Sequence, residues 1–111
     1  MTEAQIQRAC LDLLEALRLQ GLPVYATRTN SGKIRTTEGY SVRLCREGWP
    51  DLSAIIAGKF VGIECKRSKG GAQSPEQIKA QRAIEQAGGV YLLVDSIAVL
   101  RKYLKTCAMM P

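Results

Sequence analysis

Histidine is absent from this chain of 111 residues. That removes the commonest general base and the usual zinc ligand together, so hydrolytic chemistry has to rest on carboxylates, lysine or cysteine. Aromatic residues make up only 5% of the chain, too few for the stacking platforms that hold single-stranded nucleic acid. The four cysteines, Cys10, Cys45, Cys65 and Cys107, show no paired zinc spacing. Cys10 and Cys65 fall on faces read as buried, where cysteine behaves as a small hydrophobe, and reduced thiols are the simplest account. No apolar run approaches membrane-spanning length, and the start, Met-Thr-Glu-Ala-Gln, has neither the basic residues nor the apolar run of a signal peptide. The expectation is a cytoplasmic protein without a membrane partner. Internal repeats and low-complexity segments are also missing.

What is present suits one compact domain with a modest core. The apolar share of 46% argues against wholesale disorder. Lys plus Arg outnumber Asp plus Glu by 16 to 10, and the pI is near 9.4. A surplus of this size suits a polyanionic partner such as nucleic acid, although many small basic proteins bind none.

Thr2 to Gln20 reads as an amphipathic helix, with Ile6, Cys10, Leu13, Leu14 and Leu17 at helical spacing. Thr2 is placed to cap it, Gly21 to end it, and Pro23 lies just beyond. Val24 to Thr29 reads as a strand, followed by a turn at Asn30-Ser31-Gly32-Lys33. The stretch from Lys33 to Arg46 is polar and basic, with a short strand expected over Tyr40 to Leu44. Leu52 to Ile56 and Phe60 to Lys66 form a predicted hairpin around Ala57-Gly58-Lys59. A Gly- and Lys-rich loop, Arg67 to Gln73, leads to Ser74-Pro75-Glu76-Gln77, a helix start with Ser at N-cap, Pro at N1 and Gln at N3. That helix runs to about Ala87, with an inward stripe of Ile78, Gln81 or Arg82, and Ile84 or Glu85, and Gly88-Gly89 stops it. Val90 to Val94 is a strand, and Ser96 opens a last helix lined by Ile97, Leu100 and Leu104. A single domain over 1–105 with a frayed tail over 106–111 follows. The crossover through the helix after Lys66 is long enough to make the strands it joins parallel, and helices interspersed with strands point to a helix-flanked sheet.

The chemistry concentrates around the predicted hairpin. Glu64 and Lys66 are two apart in a strand, so they share a face roughly 7 Å apart along the chain, while Val61, Ile63 and Cys65 face the other way. Closing the hairpin at Gly58 brings Asp51 near both, so that two carboxylates and an ammonium meet at one sheet edge. Such a set holds a hard divalent cation, Mg2+ or Mn2+, beside a water. An Asp after Pro is also an ordinary turn residue, and Glu-x-Lys is often a solvated strand face. Two features favour the chemical reading: the pair ends a strongly apolar strand, and a basic Gly-rich loop suited to phosphates follows at once.

Pro50-Asp51 followed by Glu64-Cys65-Lys66 resembles the Pro-Asp…(Asp/Glu)-x-Lys nuclease signature. More narrowly, the chain resembles a stand-alone VRR-NUC domain, the virus-type replication and repair nuclease of phages and bacteria. The resemblance runs through Glu3, Arg28-x-Asn30, Gly48-x-Pro50-Asp51, Ile63 to Lys66, Ser74 to Gln77 and Ala87-Gly88-Gly89. It implies a restriction-endonuclease-like α/β core, a mixed sheet flanked by helices in the approximate order α-β-β-β-β-α-β-α. It also implies Mg2+- or Mn2+-dependent hydrolysis of DNA, with branched or four-way junction DNA as substrate and a homodimer as the acting unit in a bacterial or phage-infected cell. By the same resemblance Asp51, Glu64 and the Cys65 carbonyl are metal ligands, Lys66 is the catalytic lysine, and Glu3 joins the metal's outer shell through water or merely complements the helix dipole. Gln77 matches the family's downstream glutamine. It also fits the N3 position of a capping box, and the two uses compete for one amide. Gln81 is a weaker candidate. Lys33, Arg35, Arg43, Arg67 and Lys69 are the expected phosphate contacts, whereas Arg101, Lys102 and Lys105 read as a solvated face. Trp49 either stacks on a base or anchors the hairpin. Two rival readings remain, a DNA-binding module without catalysis and a restriction-type site-specific endonuclease.

Overall fold

A computed structural model of the chain describes residues 1–29, 33–43, 45–68 and 70–111, with the backbone alone at Lys33 and Arg43. The elements run α1 (Glu3–Leu19), β1 (Val24–Arg28), β2 (Lys33–Arg35), β3 (Ser41–Arg43), β4 (Leu52–Ile56), β5 (Lys59–Cys65), α2 (Pro75–Gln86), β6 (Val90–Val94) and α3 (Ile97–Thr106). The mixed sheet flanked by helices is as expected from the sequence, with one strand more, β2. It escapes periodicity because it spans only Lys33–Arg35 and pairs solely with β3 in a separate ribbon.

The main sheet has the order β1-β4-β5-β6. β4 runs antiparallel to both β1 and β5, and β6 joins β5 in parallel after the α2 crossover. α1 and α3 cover one face. Ile6, Cys10, Leu14 and Leu17 of α1 meet Leu52, Ile56, Val61, Ile63 and Cys65 there, together with Leu100 and Leu104 of α3. Burying these side chains supplies most of the stabilisation, at about 1.5–3 kcal/mol for each large aliphatic group. All four cysteines are free thiols, and Cys10 and Cys65 are fully buried as expected. No helix among the described residues is long and apolar enough to cross a membrane.

Helix boundaries follow their capping chemistry. Thr2 and Gln5 form a reciprocal capping box at α1, and Ser74 and Gln77 do the same at α2. Ser96 occupies the N-cap position of α3 but makes no side-chain capping bond, so its expected role is positional only. In α2 only Ile84 is buried; Ile78 turns outward and is exposed. The tail expected to fray instead turns back. Ala108 takes φ +58, the Met109 N–H reaches the Leu104 carbonyl, and Met109 and Met110 pack against the core. This is the helix-ending arrangement in which an apolar residue just past the cap seals the last turn.

The β4–β5 turn contains two residues, Ala57 at φ +52 and Gly58 at φ +81, with Ile56 paired to Lys59. Two successive positive φ values make a type I′ turn, whose twist matches the strands and whose first position favours Asn over Ala. Ala57→Asn is therefore expected to raise stability by about 1 kcal/mol, read as a higher urea midpoint at unchanged slope.

Candidate active site

The β4–β5 register pairs Leu52 with Ile63, so the next rung sets Asp51 across from Glu64. The Thr29 N–H donates to the Asp51 carbonyl at 2.8 Å, and Asp51 Oδ2 accepts the Cys65 N–H at 2.8 Å. The Lys66 N–H donates to the Val94 carbonyl at 3.0 Å and so extends β5 past Cys65. The trio therefore lies at the end of the two middle strands and not at a sheet edge as expected, because β1 and β6 flank the hairpin on either side.

Two close approaches bring the pieces together. A Cβ at Gly62 would come within 2.7 Å of Pro50 Cγ, so the missing side chain is the seat on which Pro50-Asp51 leans over β5. A Cβ at Gly48 would lie 2.3 Å from the Glu76 carbonyl oxygen and 2.8 Å from the Gln77 nitrogen. The segment carrying Asp51 thus touches the first turn of α2 backbone to backbone. Trp49 anchors this segment, donating from Nε1 to Ser53 Oγ at 2.8 Å and packing tilted against Phe60 at 5.6 Å between ring centroids.

Glu64 is 2% exposed. Its Oε2 accepts from Gln77 Nε2 at 2.8 Å and lies 3.7 Å from Lys66 Nζ. Its Oε1 is buried with no hydrogen-bond partner among the described residues. Burial, and next the Asp51 carboxylate, push the Glu64 carboxyl up to about 8, against the lowering pull of Lys66. A buried carboxylate oxygen without a donor, beside a second carboxylate, suits a hard cation far better than it suits the empty interior of a protein. Among the described residues no group of three or more His, Cys, Asp or Glu side chains gathers. A cation here would be held by Asp51, Glu64 and a backbone oxygen, for which the Cys65 carbonyl is next in line.

Gln77 resolves a conflict that the sequence poses wrongly. Its Oε1 accepts the Ser74 N–H at 2.8 Å and closes the capping box, while its Nε2 donates to Glu64. An amide has an acceptor at one end and donors at the other, so capping and holding Glu64 do not compete. A second glutamine set lies behind it and escapes sequence reading. Gln73 Nε2 donates to Gln81 Oε1 at 3.0 Å and to Tyr91 Oη at 3.2 Å, tying the loop after Lys66 to α2 and β6. Tyr91 is buried, and that burial is the main cause of a hydroxyl pushed up to about 12; the Glu64 and Asp51 charges add to it. The sequence signal was present only as Gln81 and as the alternation along β6.

Glu3 accepts the Arg67 N–H at 3.3 Å, so the start of α1 reaches the residue after Lys66, although its carboxylate is not gathered with Asp51 and Glu64. Arg67 and Arg35 are exposed. The β2–β3 ribbon follows Thr29 in the chain, and the Thr29 N–H binds the Asp51 carbonyl. Lys33 and Arg43 pair across the ribbon in register, but their side chains lie outside the described residues, as do Lys69 and the Asn30 turn. Arg101, Lys102 and Lys105 lie exposed on α3.

No family model matches the sequence, and no curated protein does. Among solved structures, one titled "VRR_NUC domain" is similar to the chain with a TM-score of 0.64 and 20% sequence identity. The match covers 95% of this chain and 97% of that one. The chain has the fold of a VRR-NUC domain. At this coverage the VRR-NUC fold takes in every element that positions the site, from α1 with Glu3 through the β4–β5 hairpin to α2 and β6.

Proposed function

We propose that this chain is a divalent-metal-dependent endonuclease that hydrolyses phosphodiester bonds of structured DNA. The observation that carries the reading is the buried Glu64 across from the half-buried Asp51, with Glu64 Oε1 unpartnered among the described residues and Lys66 alongside, in a VRR-NUC fold. Asp51, Glu64 and the Cys65 carbonyl would hold Mg2+ or Mn2+, which when bound supplies Lewis acidity at the scissile phosphate and lowers the pKa of water. The protein's own part is positioning. The Cys65 N–H fixes one Asp51 oxygen, and Gln77 fixes Glu64 Oε2 so that Oε1 is left for the cation. Lys66 is 17% exposed, enough to meet a phosphate, and its ammonium would stabilise the charge that grows on the phosphoryl oxygens as water adds. Arg35 and Arg67, with Lys33, Arg43 and Lys69, are proposed to grip the flanking phosphates, which suits the net charge of +6.

The VRR-NUC fold and the net charge of +6 support branched DNA, and a four-way junction is the proposed substrate. The test is cleavage of four-way, flapped and linear DNA with Mg2+, Mn2+ or EDTA. Junction cleavage that needs metal and falls about 100-fold or more in Asp51→Ala and Lys66→Ala supports the reading. Undiminished cleavage in both variants sinks it. Binding that persists in EDTA without product under any metal would instead leave a DNA-binding module.

A further inference from the structure

Lys66 is the site residue that the structure holds least directly. Among the described residues its ammonium has one polar contact, Glu64 Oε2 at 3.7 Å, longer than a hydrogen bond. A lysine ammonium rides on a flexible stem, so packing has to fix where the charge sits. The loop that follows supplies packing at the root of that stem. A Cβ at Gly71 would lie 3.1 Å from Lys66 Cβ and 2.4 Å from the Arg67 carbonyl oxygen, so the loop doubles back and rests its backbone on Lys66 and Arg67. Little apolar burial keeps it there: Arg67, Ser68, Gly70, Gly71 and Ala72 are exposed. A segment of this kind opens at low cost unless its ends are tied. One tie is the Arg67 N–H to Glu3 Oε2 at 3.3 Å, an exposed bond. The other is Gln73 Nε2, which donates to both Gln81 Oε1 and Tyr91 Oη. This second tie is the firmer. Tyr91 is 7% exposed and both glutamines are half-buried, so water competes poorly for these bonds.

We propose that Gln73 is a positioning residue: its bonds to Gln81 and Tyr91 latch the loop against Lys66 and so set the reach of that ammonium to the scissile phosphate. The role rests on the nuclease reading, whereas the latch itself does not. Two observations direct its effect to Lys66. Tyr91 pairs in register with Gly62, on the face of β5 that Glu64 and Lys66 share, so the anchor is fixed to the same strand pair as the site. The Gln77–Glu64 bond does not need Gln73, because Ser74 and Gln77 cap α2 by themselves. Releasing the latch therefore frees the lysine and leaves the Glu64 carboxylate held.

Gln73→Met tests the proposal, since it keeps the length of the side chain and removes its donors. On four-way junction DNA with Mg2+, kcat is expected to fall about 10- to 100-fold while KM stays within about twofold, because Lys66 acts on charge that appears only in the transition state. In a Lys66→Ala background the same substitution is expected to change kcat by less than about threefold. Tyr91→Phe keeps the ring and removes one of the two acceptors, so its kcat should lie between those of the native chain and Gln73→Met. Trypsin reads the loop without reference to catalysis: in metal-free Gln73→Met the bonds after Arg67 and Lys69 should be cut about 10-fold faster than in the native chain. A kcat loss that multiplies in full with that of Lys66→Ala overturns the proposal. So does a lower thermal midpoint with kcat intact, or a raised KM at unchanged kcat, which would make the loop a grip on DNA alone. Trypsin rates unmoved by Gln73→Met overturn it whatever the DNA result. Faster cutting by trypsin in a protein that cleaves no DNA under any metal would overturn the nuclease reading alone.

Discussion

Glu64→Gln is expected to abolish metal-dependent cleavage and, without metal, to make the protein more stable above neutral pH. Glutamine keeps the shape and can still accept from Gln77, but it removes the charge that the cation and Asp51 respond to. Loss of an anionic ligand at about 4 kcal/mol or more corresponds to a rate lower by about 1,000-fold or more. The stability effect follows from the sign of the shift. Burial and Asp51 raise the Glu64 carboxyl to about 8 in the folded chain, above its ordinary value of 4.5. The folded state therefore holds a proton that the unfolded state has released between those values. Stability from Glu64 is complete below about 4.5 and is lost as pH rises through about 8, at no more than about 1.4 kcal/mol per pH unit. Thermal midpoints of the native chain and the variant, measured without metal at pH 5, 7 and 9, should diverge with rising pH in the variant's favour. Mg2+ should raise the native midpoint more at pH 9 than at pH 5 and leave the variant unmoved. Curves that stay parallel across this range would show that Glu64 carries no such burden.

Gly48→Ala is expected to cost about 3 kcal/mol or more and to disable the site without touching a ligand. Two penalties add. Gly48 has φ +80, where a side chain costs about 1 kcal/mol or more, and the new methyl would lie 2.3 Å from the Glu76 carbonyl oxygen. The clash is with backbone, so relief requires α2 to move at the turn that holds Gln77, and the Gln77–Glu64 bond goes with it. Gly39→Ala separates the two causes. Gly39 has φ +89 but nothing within 4 Å of its would-be Cβ, so it should show the conformational cost alone and retain cleavage. Equal urea midpoints for the two variants would refute the close-approach account.

Much of the architecture is legible in the residues because its signals are local. Ser74-Pro75-Glu76-Gln77 announces α2 through capping chemistry, and the Gly58 turn announces the hairpin through positive φ. β2 was not legible, since its three residues gain their strand state only from pairing with β3. The tail was read as frayed because nothing local marks Met109 and Met110 as core partners; their burial depends on where α3 ends against α1. The likeness to nucleases could be reached from Pro50-Asp51 and Glu64-Cys65-Lys66, residues whose spacing around a hairpin already implies convergence.

The sequence by itself determined the ingredients of the site: no histidine, two carboxylates and a lysine at the ends of a hairpin, and a glutamine at the third position of the following helix. Only the tertiary structure decided how they are used. It put Glu64 at 2% exposure on a central strand, split the Gln77 amide between cap and carboxylate, and left Oε1 without a donor among the described residues. The physical reason is that spacing and propensity act within a few residues, whereas burial, and the charge state it imposes, depends on every element packed around the group.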